Sequence, residues 1–221
     1  MTAGRSAVDD PEAGMHADMG NRPLRVVTGS RPVDPAAAEA AARAFLTALG
    51  VPTDLEGTFD TPRRMTAAYL EMITPRPFEA TTFPNDRAYD ELVLVRSIPV
   101  QSVCEHHMLP FVGVAHVGYL PADRILGLSK MARLVEMFAR RPQVQERLTA
   151  QVADWLQANL APRGVGVVVE AEHWCMTVRG GRAGRTSTVT STLLGRFRDD
   201  ARSRGEFLAL AGTPSHTTAG W

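Results

Sequence analysis

ELVLVRSIPVQSVCEHHMLPFVGVAHVGYL, residues 91–120, sets two apolar runs around a dense polar cluster. Glu91–Val100 and Phe111–Leu120 are rich in Val, Leu and Ile and bounded by Pro, the pattern of strands. Between them, Ser102-Val103-Cys104-Glu105-His106-His107 marks the point where a strand meets a Pro-limited loop. Moving outward toward the C-terminus, Ser129–Arg141 carries Met131, Leu134, Val135 and Phe138 at i, i+3, i+4 and i+7, which predicts an amphipathic helix capped by Ser129. Pro142 ends it and is expected to open the next helix in its first turn. That helix has Val144, Leu148, Val152, Trp155 and Leu156 on one face, and Gly164 lies just past its end. Two further strands are expected. One is Val165–Val178, with Val165, Val167, Val169, Ala171, His173 and Cys175 sharing a face; the other is roughly Thr186–Phe197.

Toward the N-terminus, Asp34 and Pro35 open an alanine-rich helix reaching Leu49, ended by Gly50 and Pro52. A second helix runs from Arg63 to about Ile73. The core order is therefore strand, strand, helix, helix, strand, strand, without internal repeats. Residues 1–33 lack sustained periodicity and read as a mobile extension, and 211–221 read as a loose tail. One domain over 34–210 remains.

Lys+Arg and Asp+Glu both total 24, and this zero net charge argues against a dedicated nucleic-acid or membrane-surface binder. No apolar run approaches the roughly 20 residues of a membrane span, and the N-terminus lacks the pattern of a signal peptide. A cytoplasmic protein is expected, in which Cys104 and Cys175, the two cysteines, are not a disulfide.

Both cysteines and three of the six histidines fall in two segments, Cys104–His107 and Glu172-His173-Trp174-Cys175. Cys104 and His107 have C-x-x-H spacing, and Cys175 can complete a Cys2His set that leaves a fourth position for water. His106 and His173 would then flank the metal as groups able to exchange protons near neutrality. A closed Cys2His2 structural zinc site using one of them, or histidines that only pack or cap, are the competing readings. Ser129, Lys130 and Arg133 open a helix whose backbone amides suit an anion, although exposed cations on a helix also serve as a solvated face. Arg179 lies four residues beyond Cys175. Gln145 and Glu146 are either ordinary helix-start residues or a pair matching the donor edge of guanine. His116 reads as structural or interfacial.

Cys-Glu-His-His with Leu-Pro-Phe-Val-Gly, then Gly-Leu-Ser-Lys, Arg-Pro-Gln-Val-Gln-Glu-Arg-Leu-Thr, Glu-His-Trp-Cys-Met and Thr-Ser-Thr-Leu-Leu-Gly-Arg-Phe closely resemble the GTP cyclohydrolase I family, from about residue 34 to 210. The resemblance implies an α+β tunnelling fold (T-fold) of β-β-α-α-β-β order, an antiparallel four-stranded sheet plus two helices, preceded by N-terminal helices. It makes Cys104, His107 and Cys175 ligands of one Zn2+ per subunit, and His106 and His173 the proton-transfer residues. Ser129, Lys130, Arg133 and Arg179 resemble the triphosphate and ribose side of the site. Gln145 and Glu146 resemble the guanine-recognition pair. Arg64 is similar to an arginine supplied by a neighbouring subunit of a homodecamer with shared sites. The implied reaction opens the imidazole ring of GTP, releases formate, rearranges the ribose and closes a pterin ring. A non-catalytic zinc module and a zinc nucleoside deaminase are rivals; the latter pairs H-x-E with P-C-x-x-C, and no C-x-x-C occurs here.

Overall fold

Asp34 accepts a hydrogen bond from the Ala37 amide at 3.0 Å and Pro35 occupies the first turn, so α1 (Pro35–Ala48) begins where the expected cap places it. α2 (Thr61–Ile73) starts two residues before Arg63, with Pro62 in its first turn, and α1 packs against it. The chain then forms β1 (Thr82–Pro84), β2 (Val93–Cys104), β3 (Pro110–Leu120), β4 (Arg124–Leu126), α3 (Leu128–Ala139), β5 (Pro142–Gln143), α4 (Gln145–Leu160), β6 (Gly164–His173), α5 (Trp174–Thr177), β7 (Thr188–Gly195), α6 (Arg196–Asp199) and α7 (Ala201–Gly212). The computed structural model describes residues 32–179 and 186–212. All but the last two residues of the expected 1–33 extension, and residues 213–221 of the expected tail, lie outside the described residues.

β2, β3, β6 and β7 form an antiparallel four-stranded sheet, and β5 adds a short parallel strand at the β2 edge. β1 and β4 make a separate two-stranded ribbon. With α3 and α4 between the strand pairs, this is the β-β-α-α-β-β order of an α+β tunnelling fold. α3 and α4 cover one sheet face. There Phe111, Ala115, Val117 and Tyr119 of β3 and Val165, Val167 and Val169 of β6 meet Met131, Leu134, Leu148, Val152 and Leu156 in a closed core. Each of the Val, Leu, Met and Phe side chains contributes about 1.5–3 kcal/mol through burial.

Parity in β2 changes midway. Val93 and Val95 face this core, and so do Ile98, Val100 and Cys104. The register slips by one residue between Val95 and Ile98, and Ser97 takes a positive φ of 55°. This bulge moves the even-numbered residues, Cys104 included, to the helix side; an unbroken strand would have turned Cys104 to the other face.

Five expectations are corrected. Ser129 does not cap α3: Gly127, held by its amide to the Thr81 carbonyl at 2.9 Å, is the cap residue, and Ser129 lies inside the first turn. Pro142 does not open a helix. It sits in β5 on the sheet edge, where its missing amide costs nothing, and α4 starts at Gln145. Cys175 does not continue the β6 face. The ladder stops at the Phe111–His173 pair, since Pro110 has no N–H to offer the next residue, and the chain coils into α5. The last strand ends at Gly195 rather than Phe197. α7 was not expected and runs past residue 210, with Ala211 buried. Its stripe is weak, but Phe207 fits the opposite sheet face where Gly118 and Gly166 leave room; a Cβ on Gly166 would lie 2.6 Å from the ring. Among the described residues no helix is long and apolar enough to cross a membrane.

Candidate metal and substrate site

Cys104 ends β2, His107 lies in the turn after it, and Cys175 comes from α5 beyond the end of β6. Sheet pairing of β3 with β2 and β6 brings these distant segments together. The potential ligand atoms of Cys104, His107 and Cys175 all lie within 4.8 Å of one another. Cys104 is buried, Cys175 half-buried and His107 exposed. Burial pushes the Cys175 thiol up, and the neighbouring Cys104 sulfur adds to the shift, while Arg179 opposes it. A divalent cation would reverse this by pairing with both thiolates, so the donor set fits a thiophilic metal with an open side.

His106 is not part of that group, although its Nδ1 is 3.9 Å from Cys104 Sγ, against 3.8 Å for His107. The two imidazoles meet edge to face with centroids 6.4 Å apart. His173 stacks on Phe111, its cross-strand partner, at 4.5 Å and 10°. Burial lowers the His173 pKa, with the Glu146 charge working the other way. Its Nε2 is 2.7 Å from Gln145 Oε1.

Gln145 has a different place from the one expected of a base reader. It is 2 % exposed, and its amide nitrogen reaches the carbonyls of Val169 (3.0 Å) and Thr188 (2.9 Å) and the Thr190 hydroxyl (3.1 Å). Those acceptors fix the amide orientation, so Oε1 must accept from His173 Nε2–H. The cause is helical phase: Gln145, Leu148, Thr149 and Val152 share the buried stripe of α4. Glu146, one residue on, is exposed in the first turn.

Ser129 and Lys130 are not brought to the Cys/His group within this chain. The other end of α3 is: Ser102 Oγ donates to the Ala139 carbonyl at 2.6 Å, two residues before Cys104. Ten helical residues, about 15 Å, separate Ser129 from that end. Arg133 donates to the Pro77 carbonyl at 2.8 Å and lines a groove with Arg76, Glu136 and Arg140 instead. Arg64 is exposed and 3.6 Å from Asp60. Tyr69 of the same helix does touch the turn that carries His107, donating to the Met108 carbonyl at 3.1 Å. Five residues rotate about 140° around a helix, so Arg64 points away from that contact.

Tyr69, and Phe111 as the stacking partner of His173, carried no signal in the sequence that would have selected them. Gln145 did, through its i+3 and i+4 relation to Leu148 and Thr149.

The sequence model of the GTP cyclohydrolase I family matches residues 38–212. The GTP cyclohydrolase 1 of Mycobacteroides abscessus is 54% identical over 184 residues, covering 80% of this chain and 89% of that protein. That of Mycolicibacterium gilvum is 50% identical over 182 residues, 80% and 90% of the two chains. That of Mycobacterium ulcerans is 51% identical over 190 residues, 83% and 93%. With its Cys104–His107–Cys175 group assembled on this sheet and such relatives along most of its length, the chain belongs to the GTP cyclohydrolase I family of enzymes.

Proposed function

We propose that this chain is a zinc-dependent enzyme that converts GTP and water to formate and 7,8-dihydroneopterin triphosphate. It acts as the first step of a pterin or tetrahydrofolate-type pathway in the cytoplasm. The observation that carries this reading is the convergence of Cys104, His107 and Cys175 beside a His173 whose ring is held on two sides. These three residues would hold one zinc ion. When bound, zinc supplies Lewis acidity and water activation.

The remaining work falls to the chain. His173 has its Nε2–H committed to Gln145, so Nδ1 is the atom that exchanges protons with substrate. His106, exposed and next to the ligand His107, is the second proton-transfer group, serving N7 of the base as the imidazole ring opens. Glu146 accepts from the N1 and N2 donors of guanine. Arg179, Ser129, Lys130 and Arg133 bind the ribose and triphosphate, holding the substrate through ring opening, formate release, ribose rearrangement and ring closure.

The roughly 15 Å between Ser129 and the ligand end of α3 supports a site shared between subunits, with Arg64 reaching a neighbour's site in the same way. We therefore expect a homodecamer with shared sites, in which residues 34–210 are the catalytic domain and 1–33 an extension. β7 leaves an open sheet edge with Val189 exposed, which a second copy would cover.

Anaerobic incubation with GTP, with and without a chelator, tests the reading. Formate and, after oxidation, a fluorescent pterin are expected only while metal is present. Turnover unaffected by complete metal removal, or the absence of formate, would overturn it.

A further inference from the structure

We infer that Glu105 and Arg147 form a clamp that positions the metal-binding turn, an inference that rests on the zinc reading above. Glu105 stands between Cys104 and His107, where a carboxylate could be a ligand or a proton shuttle. Its side chain is turned to α4 instead. Both terminal nitrogens of Arg147 reach the carboxylate, Nη1 at 3.4 Å and Nη2 in closer contact. That pairing neutralises the acid and uses the planar fork that only arginine offers.

Arg147 is anchored in turn. Its Nε donates to Gln143 Oε1 at 2.8 Å, and Gln143 is 1 % exposed. The Gln143 amide nitrogen donates to the Phe138 carbonyl (3.1 Å) and to Gln151 Oε1 (2.8 Å), while its oxygen also accepts from the Val144 amide at 3.2 Å. Flipping that amide would set donor against donor at Arg147 and Val144, so its neighbours determine its orientation. The Gln143 carbonyl also accepts from the Glu105 amide at 3.1 Å. One two-residue strand and one helical turn thus hold Glu105 by backbone and by side chain.

The turn needs such a hold. Beyond Glu105 it is held by the Met108 and His107 amides to the Cys104 carbonyl (2.8 and 3.4 Å), by the Cys104 amide to the Leu109 carbonyl at 2.8 Å and by the Tyr69 hydroxyl on the Met108 carbonyl, and Met108 adopts a positive φ of 54°. A non-glycine residue there persists only when its surroundings over-determine it. The same first turn of α4 supplies Gln145 to His173, so Gln145 and Arg147 set the two chemistry-bearing segments relative to each other. The ion pair is about one-third exposed on each side (29% and 33%), so its contribution to global stability is small. Its effect should appear at the metal.

Glu105→Gln, Arg147→Met and the double variant, each as the whole assembled protein, test this. Zinc affinity is read by competition with a chromophoric chelator, geometry by the absorption of the cobalt-substituted site, and folding by thermal melting. Each single variant is expected to weaken zinc about tenfold and to alter the cobalt spectrum, with the Tm of the zinc-free protein nearly unchanged. The double variant should be no weaker than the worse single, because both singles lose the same Glu105–Arg147 pairing. Unchanged affinity and spectrum, a fall in Tm alone, or additive losses would overturn the clamp. If the unaltered protein takes up no zinc, the metal reading itself fails, which the variants do not decide.

Discussion

His173 Nε2 lies 2.7 Å from Gln145 Oε1, and the Gln145 amide nitrogen is already engaged by three oxygens. The ring therefore presents a defined tautomer. Gln145→Ala should leave zinc in place but lower kcat at least about tenfold by freeing His173. It should also cost about 1–3 kcal/mol of stability, because the Val169 and Thr188 carbonyls lose their donor. Steady-state kinetics and melting check both; wild-type kcat would mean that stacking on Phe111 alone holds the ring.

Metal content separates ligands from proton-transfer groups. Cys175→Ser and His107→Ala should lose zinc and activity together, since a three-ligand site has none to spare. His106→Ala should retain zinc and lose turnover. A metal-free His106 variant would make His106 a ligand.

The proposed function gives base recognition to Glu146, which is exposed on the first turn of α4. A charge-assisted contact contributes about 1.5–3 kcal/mol, so Glu146→Ala should reduce kcat/KM for GTP at least about tenfold with zinc content intact. Unchanged kcat/KM would remove Glu146 from the site.

His116 offers a pH test of stability. It sits half-buried in β3 with Nδ1 unpartnered among the described residues, and burial lowers its pKa from 6.5, Arg96 adding to the effect and Glu170 opposing it. The unfolded chain therefore takes up the proton first, and the folded state loses stability as pH falls from about 6.5 toward the lower folded value. At saturating zinc, wild type should lose more Tm than His116→Leu between about pH 7 and about pH 5.5. Parallel curves would show that His116 protonates equally in both states.

Site sharing can be read by mixing. Lys130→Ala and His106→Ala should each be nearly inactive alone. Co-expressed in mixed assemblies verified by differential tags, they should recover activity wherever an intact Lys130 from one chain meets an intact His106 from another. No recovery would place Lys130 in its own subunit's site or in none.

The amino-acid order by itself determined the periodic elements and the donor types: the stripe through Met131, Leu134, Val135 and Phe138, the alternating Val165, Val167 and Val169, and the Cys104–His107 and His173–Cys175 segments. Local periodicity and ligand spacing are short-range properties, legible along the chain. The tertiary structure decided what depends on pairing between distant segments. The bulge at Ser97 sets which face Cys104 takes, and the missing Pro110 amide ends the ladder and turns Cys175 into α5. The phase of α4 buries Gln145 under His173 while leaving Glu146 outside, and ten residues of α3 keep Ser129 from the Cys104, His107 and Cys175 group of its own chain. Register, bulges and helix phase are settled by the whole core at once, because shifting any of them by one residue exchanges buried for exposed side chains along an entire element.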